Sequence, residues 1–277
     1  MIVALHSAPE GFLKTCPPYN NDDLLKFVRK GSSLGFKAVQ IGPLRSFVAI
    51  EGGCLKRVLD YLSMQRTVHV GGIYNAREFA LSKEEYSRAQ KQIHCGITLS
   101  KKISSPLVSV HPPFFATGSK MSKELLSKAR TRFLKLIKEE TDFADRMQIK
   151  IALESFCYHP FIFEGLHDFI QFVSKFPSEK LGVLLDVGHL YQMGIDLSEA
   201  VHLFAHRLLD VHVHDATLQK DFRKATHLSI GKGTINFPDF INLLREDGYD
   251  GWLTLEIRGN EREITESKKY LEDIIYA

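Results

Sequence analysis

Eight short apolar runs, each followed by a longer amphipathic stretch, divide this chain along its length. The runs fall at 2–5, 38–41, 67–70, 107–110, 149–153, 181–185, 209–213 and 252–257, and several are rich in Val and Ile. Runs this short and this apolar read as strands buried on both faces, which is the pattern of a parallel sheet covered by helices. The stretches between them carry helical signals. Residues 20–36 open on Asn and Asp and place Leu24, Leu25 and Val28 on one face. Residues 81–103 begin with Ser82 and have Glu85 three positions on, a capping-box spacing. Residues 121–147 are rich in Glu, Lys and Leu, and 164–176, 197–207, 236–247 and 264–275 behave alike. Pro238 lies near the start of one of these helices and Gly248 near its end. Strand and helix alternating eight times predict a single (β/α)8 barrel domain over residues 1–277, a length that suits the roughly 250 residues such a barrel needs. A doubly wound open sheet is the alternative. No Gly-x-Gly-x-x-Gly or phosphate-loop pattern is present, so no nucleotide cofactor is expected.

The bulk properties narrow the function classes only a little. Hydrophobic residues make up 44% and charged residues 25%, enough for a normal core. A net charge of +3 neither demands nor excludes nucleic acid. Cys16, Cys54, Cys95 and Cys157 have no paired spacing and read as free thiols in a reducing compartment. The first residues hold too short an apolar run for a signal peptide, and no membrane-length apolar stretch occurs. The expectation is a soluble, cytoplasmic protein with no membrane partner.

The chemistry lies where the predicted strands end. In order, the ends are His6, Gln40, His69, His111, Glu154, Asp186, His212 and Glu256. In a barrel these positions share the C-terminal rim, where active sites form. Several carboxylates brought within a few ångströms repel each other, and a divalent cation removes the penalty. Imidazole mixed with carboxylate suits Zn, Mn or Fe better than Mg or Ca. No cysteine sits at the rim, which argues for a catalytic site with open positions rather than a structural zinc. His94, His159, His167, His202 and His206 fall in helical or loop segments and read as surface residues.

Several local motifs, "MIVALHSAPEG", "GFKAVQIGPLRSF", "HVGGIYN", "VSVHPPF", "ALESF", "LLDVGHL", "DVHVHDATLQKDFRKATHLSIGKG" and "LTLEI", resemble those of the endonuclease IV family within the wider group of xylose-isomerase-like barrels. The resemblance covers most of the chain. It implies two or three metal ions, zinc above all, at the barrel mouth: one held by His69, His111 and Glu154, a second sharing Glu154 and completed by Asp186, His212 and Glu256, and a third on His189 and His227. It gives Glu154, Asp186 and Glu256 the catalytic roles and leaves His214 a supporting one. The family's third site also uses an Asp two residues before the last histidine; here that position is Ala225, and Asp221 is the acidic residue nearest in sequence. The activity implied is metal-dependent hydrolysis of the DNA backbone at abasic sites, in base excision repair, with Arg45, Asn75 and Lys232 in loops after strands as candidate phosphate contacts. The alternative within the same group is a sugar or sugar-phosphate isomerase or epimerase. It would use one divalent metal on Glu154, Asp186, His212 and Glu256, with two carboxylates moving a proton next to a carbonyl. Ala225 and the modest charge favour this alternative, whereas His69 and His111 extend the site beyond one ion.

Overall fold

In a computed structural model, which describes residues 1–7, 21–42, 50–71, 75–115, 122–155, 162–219 and 221–277, eight parallel strands close into a barrel in the order β1 to β8. The strands are β1 (Ile2–His6), β2 (Ala38–Ile41), β3 (Gln65–Val70), β4 (Leu107–Val110), β5 (Lys150–Glu154), β6 (Leu181–Asp186), β7 (Leu208–Val213) and β8 (Trp252–Leu255). The helices are α1 (Asn21–Ser33), α2 (Gly52–Tyr61), α3 (Ala76–Leu81), α4 (Lys83–Ile103), α5 (Lys123–Arg146), α6 (Leu166–Val173), α7 (Val187–Gln192), α8 (Leu197–Phe204), α9 (Phe222–Ala225), α10 (Phe237–Glu246) and α11 (Glu261–Tyr276). All eight predicted strands form, with bounds shifted by one or two residues. The open-sheet alternative is excluded because β1 pairs with both β2 and β8.

Alternation along each strand separates two environments. One set of positions, among them Val3, Leu5, Val39, Ile41, Val68, Val70, Val108 and Val110, joins the large apolar cluster shared with the surrounding helices. The other set turns into the barrel, where Leu107, Ala152 and Leu184 form a small separate cluster with Leu209 and Trp252 packed against it. Above that plug the inward positions become polar and culminate in the histidines and carboxylates of the rim. A bulge between β6 and β7 sets the last step of this pattern: Val183 pairs with Leu208 but Leu184 pairs with Asp210, so Asp186 meets His212. Gly182 makes room for the bulge, since a Cβ there would lie 2.4 Å from the Arg207 carbonyl oxygen and 2.6 Å from Leu209 Cγ.

The helices start where the sequence signals them. Ser82 caps α4 by accepting from Glu85 N–H, and Ser122 caps α5 by accepting from Leu125 N–H. Pro238 lies in the first turn of α10, and Gly248, with φ +74°, follows its end. Among the described residues no helix is long and apolar enough to cross a membrane.

Candidate metal centre

The sequence-predicted ligands meet at the rim. His69, His111 and Glu154 place one ligand atom each within 4.8 Å of one another, as do Asp186, His212 and Glu256, and as do Glu154, Asp186 and His189. Glu154 Oε2 lies 3.1 Å from His69 Nε2 and 2.7 Å from His111 Nε2. His212 Nδ1 lies 2.9 Å from Glu256 Oε2 and 3.7 Å from Asp186 Oδ2. Metal–ligand bonds of about 2.0–2.2 Å bring neighbouring ligand atoms to separations of this order. Four of the converging atoms, His69 Nε2, Glu154 Oε2, Asp186 Oδ2 and His212 Nδ1, are buried with no hydrogen-bond partner. Buried polar atoms are nearly always satisfied, so four such atoms aimed at common points fit a divalent cation. Glu256 and His111 have side chains 17% and 12% exposed, against 0–2% for His212, Asp186, His69 and Glu154, so the approach to the site lies on their side.

Electrostatics follow the burial. Burial holds His69 down to about 4 and His227 down to about 3, and lowers His189, so these imidazoles stay neutral and keep a lone pair for a ligand. Burial also opposes charge on Glu154, but the neighbouring His111 outweighs it and keeps the carboxyl well below the usual range. Asp186 and Glu256 are likewise held low, against burial, by His189 and His214 in the first case and by His6 and His212 in the second. Burial opposes the imidazolium of His212, yet the Glu256 charge raises its pKa well above the ordinary histidine value. Three ionised carboxylates within one dry pocket are what a cation would compensate.

The stretch from His212 to Gly233 resolves into distinct roles. His214 lies with His189 and His227 in a third cluster whose ligand atoms are also within 4.8 Å. Its ring, however, is engaged on both sides. Nδ1 accepts the His227 backbone N–H at 2.8 Å, so Nε2 carries the hydrogen and donates to Asp186 Oδ1 at 3.0 Å. His214 therefore orients Asp186, in keeping with a supporting role. Asp186 Oδ1 also accepts the His189 backbone N–H at 2.8 Å, which caps α7 and leaves Oδ2 to the site. The left-handed backbone at His227, φ +54°, turns its N–H onto His214 and lets ring Nδ1 donate to the Glu256 carbonyl at 3.0 Å. Ala225 is fully buried and brings no acid. Asp221 is half exposed, starts α9 and pairs with Lys224. Among the described residues the third cluster is thus all histidine.

Asn75 and Lys232 belong to none of these clusters. Arg45 falls outside the described residues. Asn75 is exposed, and its side-chain oxygen caps α3 by accepting Glu78 N–H at 3.2 Å. Lys232 is exposed on the loop after β7. His94, His167, His202 and His206 are exposed as expected, and His159 lies outside the described residues. Cys54 and Cys95 are free thiols, whereas Cys16 and Cys157 lie outside the described residues.

The resemblance pairs Asp215 with His212 without giving it a role, and in the structure Asp215 holds the rim loop in place. Its two oxygens accept the N–H groups of Ala216 and Ile235, and of Gly231 and Gly233, at 2.8–3.2 Å. Gly233 is required there, because a Cβ would lie 2.2 Å from Asp215 Oδ1. His6 was noted as a strand end without a role. It stands 3.0 Å from His69 Nδ1 through Nε2, and 3.7 Å from Glu256 Oε1 through Nδ1, linking two of the clusters.

Comparison with known proteins places this geometry. A family model described as a xylose isomerase-like TIM barrel matches residues 28–274. The chain is 27% identical over 181 residues to an uncharacterised protein of Methanocaldococcus jannaschii, covering 63% of this chain and 58% of that one. It is 27% identical over 174 residues to a probable endonuclease 4 of Thermoplasma acidophilum (58% and 56%), and 29% identical over 113 residues to an inosose dehydratase of Lacticaseibacillus casei (34% and 38%). These matches span less than two thirds of each relative's length. Among solved structures, the fold resembles that of a D-tagatose 3-epimerase-like protein, with TM-score 0.79, 22% identity and coverage of 100% and 97%. It also resembles a D-psicose 3-epimerase of Clostridium cellulolyticum H10, with TM-score 0.79, 15% identity and coverage of 99% of each chain.

Proposed function

The chain belongs to the family of xylose isomerase-like TIM barrels, and from that premise we propose that it is a divalent-metal-dependent isomerase or epimerase of a small sugar or sugar derivative. The observation that carries this reading is the set Glu154, Asp186, His212 and Glu256, whose overlapping clusters surround one region of the rim, with Glu154 Oε2, Asp186 Oδ2 and His212 Nδ1 buried there without a hydrogen-bond partner. A nuclease-like third centre finds less support, since position 225 brings no acid and both His214 nitrogens are engaged. Epimerases among the structural neighbours, and an inosose dehydratase and an inosose isomerase among the relatives, point the same way.

A bound cation would polarise the carbonyl and adjacent hydroxyl oxygens of the substrate. The protein's own groups do the rest. Glu154 and Glu256 present carboxylates held ionised in a buried site. One takes the proton from the carbon beside the carbonyl, and the other returns a proton to the resulting enediolate, so one C–H bond breaks and another forms with no net redox change. His69 and His111 fix the Glu154 carboxylate at 3.1 and 2.7 Å. His189, in the first turn of α7, is placed to hydrogen-bond a substrate hydroxyl. The buried walls keep water from quenching the carbanion-like intermediate.

A second reading, hydrolysis of DNA at abasic sites, is favoured by one specific observation: His69, His111 and Glu154 form a cluster of their own beside Asp186, His212 and Glu256. The endonuclease 4 relatives support it too. In that reading exposed Lys232 would meet a backbone phosphate, together with Arg45 and Asn75.

One experiment separates the two. Protein purified without added metal is analysed for bound metal. It is then incubated with a panel of ketoses in D2O under NMR, and with a duplex carrying one abasic analogue. Deuterium entering a carbon next to the carbonyl, with about one ion per chain, supports the isomerase. Strand cleavage with two or three ions and no exchange overturns it.

A further inference from the structure

Of the eight strand-end residues singled out in the sequence, Gln40 is the one that carries neither an imidazole nor a carboxylate, and it is fully buried inside the barrel. Its amide spans the interior from β2 to β7. Nε2 donates to Asp210 Oδ2 at 2.8 Å, and Oε1 stands 2.8 Å from His212 Nε2. Asp210 is itself fully buried and surrounded by donors: Oδ1 accepts Thr254 Oγ1–H and the Val211 N–H, each at 2.8 Å. These contacts fix the orientation of every group. A carboxylate only accepts, so the amide nitrogen of Gln40 must face Asp210 and its oxygen must face His212. That oxygen in turn requires a hydrogen on His212 Nε2. Nδ1 is then the nitrogen left to point at Asp186 Oδ2 and Glu256 Oε2.

We propose that Gln40 is a positioning residue for the metal centre: braced by Asp210 and Thr254, it locks His212 as the tautomer whose Nδ1 is offered to the cation. A histidine ligand usually gives its second N–H to a carboxylate or carbonyl, and loss of that partner weakens metal binding about 10–100-fold. Here the carboxylate acts through an interposed amide. The brace crosses the barrel, joining residues 172 and 170 positions apart, so it also fixes the side-chain torsions of His212 against rotation in the pocket. The role is the same for sugar chemistry and for hydrolysis.

The test compares wild type with Gln40→Leu, Gln40→Glu and the double variant Gln40→Glu/Asp210→Asn. The first removes the acceptor. The second sets two carboxylates against each other. In the double variant Asn Oδ1 accepts from Thr254 and Val211, Asn Nδ2 donates to the new carboxylate, and the His212 Nε2–H keeps an acceptor with no second carboxylate opposed to it. Zn²⁺ affinity is read by competition with a chromophoric chelator, and the His212 Nε2–H resonance and its solvent exchange are read by NMR, with and without Zn²⁺. Thermal unfolding checks that each variant is folded. Gln40→Leu is expected to bind Zn²⁺ about 10–100-fold more weakly and to lose the slowly exchanging Nε2–H, whereas Gln40→Glu and the double variant, which keep an acceptor for that hydrogen, are expected to hold both closer to wild type. Unchanged affinity and exchange in folded Gln40→Leu, or a folded double variant as weak and as fast-exchanging as Gln40→Leu, overturns the proposal. If wild type takes up no Zn²⁺, the metal centre itself fails. The Nε2–H exchange then decides the positioning role without it, protection in wild type and its loss in Gln40→Leu supporting the role and equal exchange rejecting it.

Discussion

Glu154 is the residue on which both chemical readings converge, because His69 and His111 touch it on one side and it shares a cluster with Asp186 and His189 on the other. Glu154→Gln is therefore expected to reduce either activity by at least the roughly 10²–10⁴-fold of a lost acid–base group. His111→Ala discriminates. It should lower sugar deuterium exchange by less than Glu154→Gln does, because His111 steadies the Glu154 carboxylate without belonging to the four residues of the single centre. Abasic-site cleavage in wild type that vanishes in His111→Ala would instead identify the hydrolase. Gly188 makes a separate point about space. A Cβ there would lie 1.9 Å from His214 Cε1, so the imidazole that orients Asp186 fits only against a bare backbone. Gly188→Ala should cost about 1–3 kcal/mol of stability by overpacking and weaken Zn²⁺ binding by displacing His214. A variant with unchanged melting temperature and Zn²⁺ affinity would remove that role from His214. The spacing of Asp186 and His189 was legible in the sequence. That Asp186 Oδ1 goes to the α7 cap and to His214 while Oδ2 faces the site was not, because it depends on a strand 28 residues further on.

Among the helices, α4 and α5 pack together and carry an ionisable group with no part in the site. Glu140 on α5 is buried, Oε2 has no hydrogen-bond partner, and the imidazole of half-exposed His94 lies 3.6 Å away. Burial pushes its carboxyl from 4.5 up to about 7. A carboxyl raised on folding contributes its stability in full below the unfolded pKa and loses it as the pH climbs through the folded value. The loss is thus spread from about pH 4.5 to about pH 7, and a displacement of this size corresponds to about 3 kcal/mol at most. Glu140→Gln should therefore raise stability in denaturant titrations at pH 8 and change it little at pH 4; equal effects at both would show that Glu140 ionises normally. At this scale the sequence was informative. Ser82, Ser122 and Gly248 marked helix ends because caps are local interactions. The bulge between β6 and β7 was not marked, since it arises from packing Leu209 into the space over Gly182.

For the whole molecule, the closed sheet leaves no edge strand, and it also concentrates like charges at one rim. Glu154, Asp186 and Glu256 converge there, with Asp210 one layer below. A cation bound only by the folded barrel stabilises it by mass action, about 2.7 kcal/mol at a hundredfold excess over its dissociation constant. A chelator should lower the melting temperature by about 5 °C or more, and Zn²⁺ or Mn²⁺ should restore it; a melting temperature indifferent to both would count against a resident metal. The sequence by itself determined the alternation of eight apolar runs with eight helical stretches, and with it the barrel, the rim and the residues at the strand ends. Those features are periodic and local, so they survive in one dimension. The tertiary structure alone decided which nitrogen of each imidazole is available, what holds His214 and His227 in place, and what the glutamine at the rim meets. Each answer depends on a hydrogen-bond partner brought across the barrel from a distant strand, and strand periodicity specifies the direction of a side chain but not what it meets.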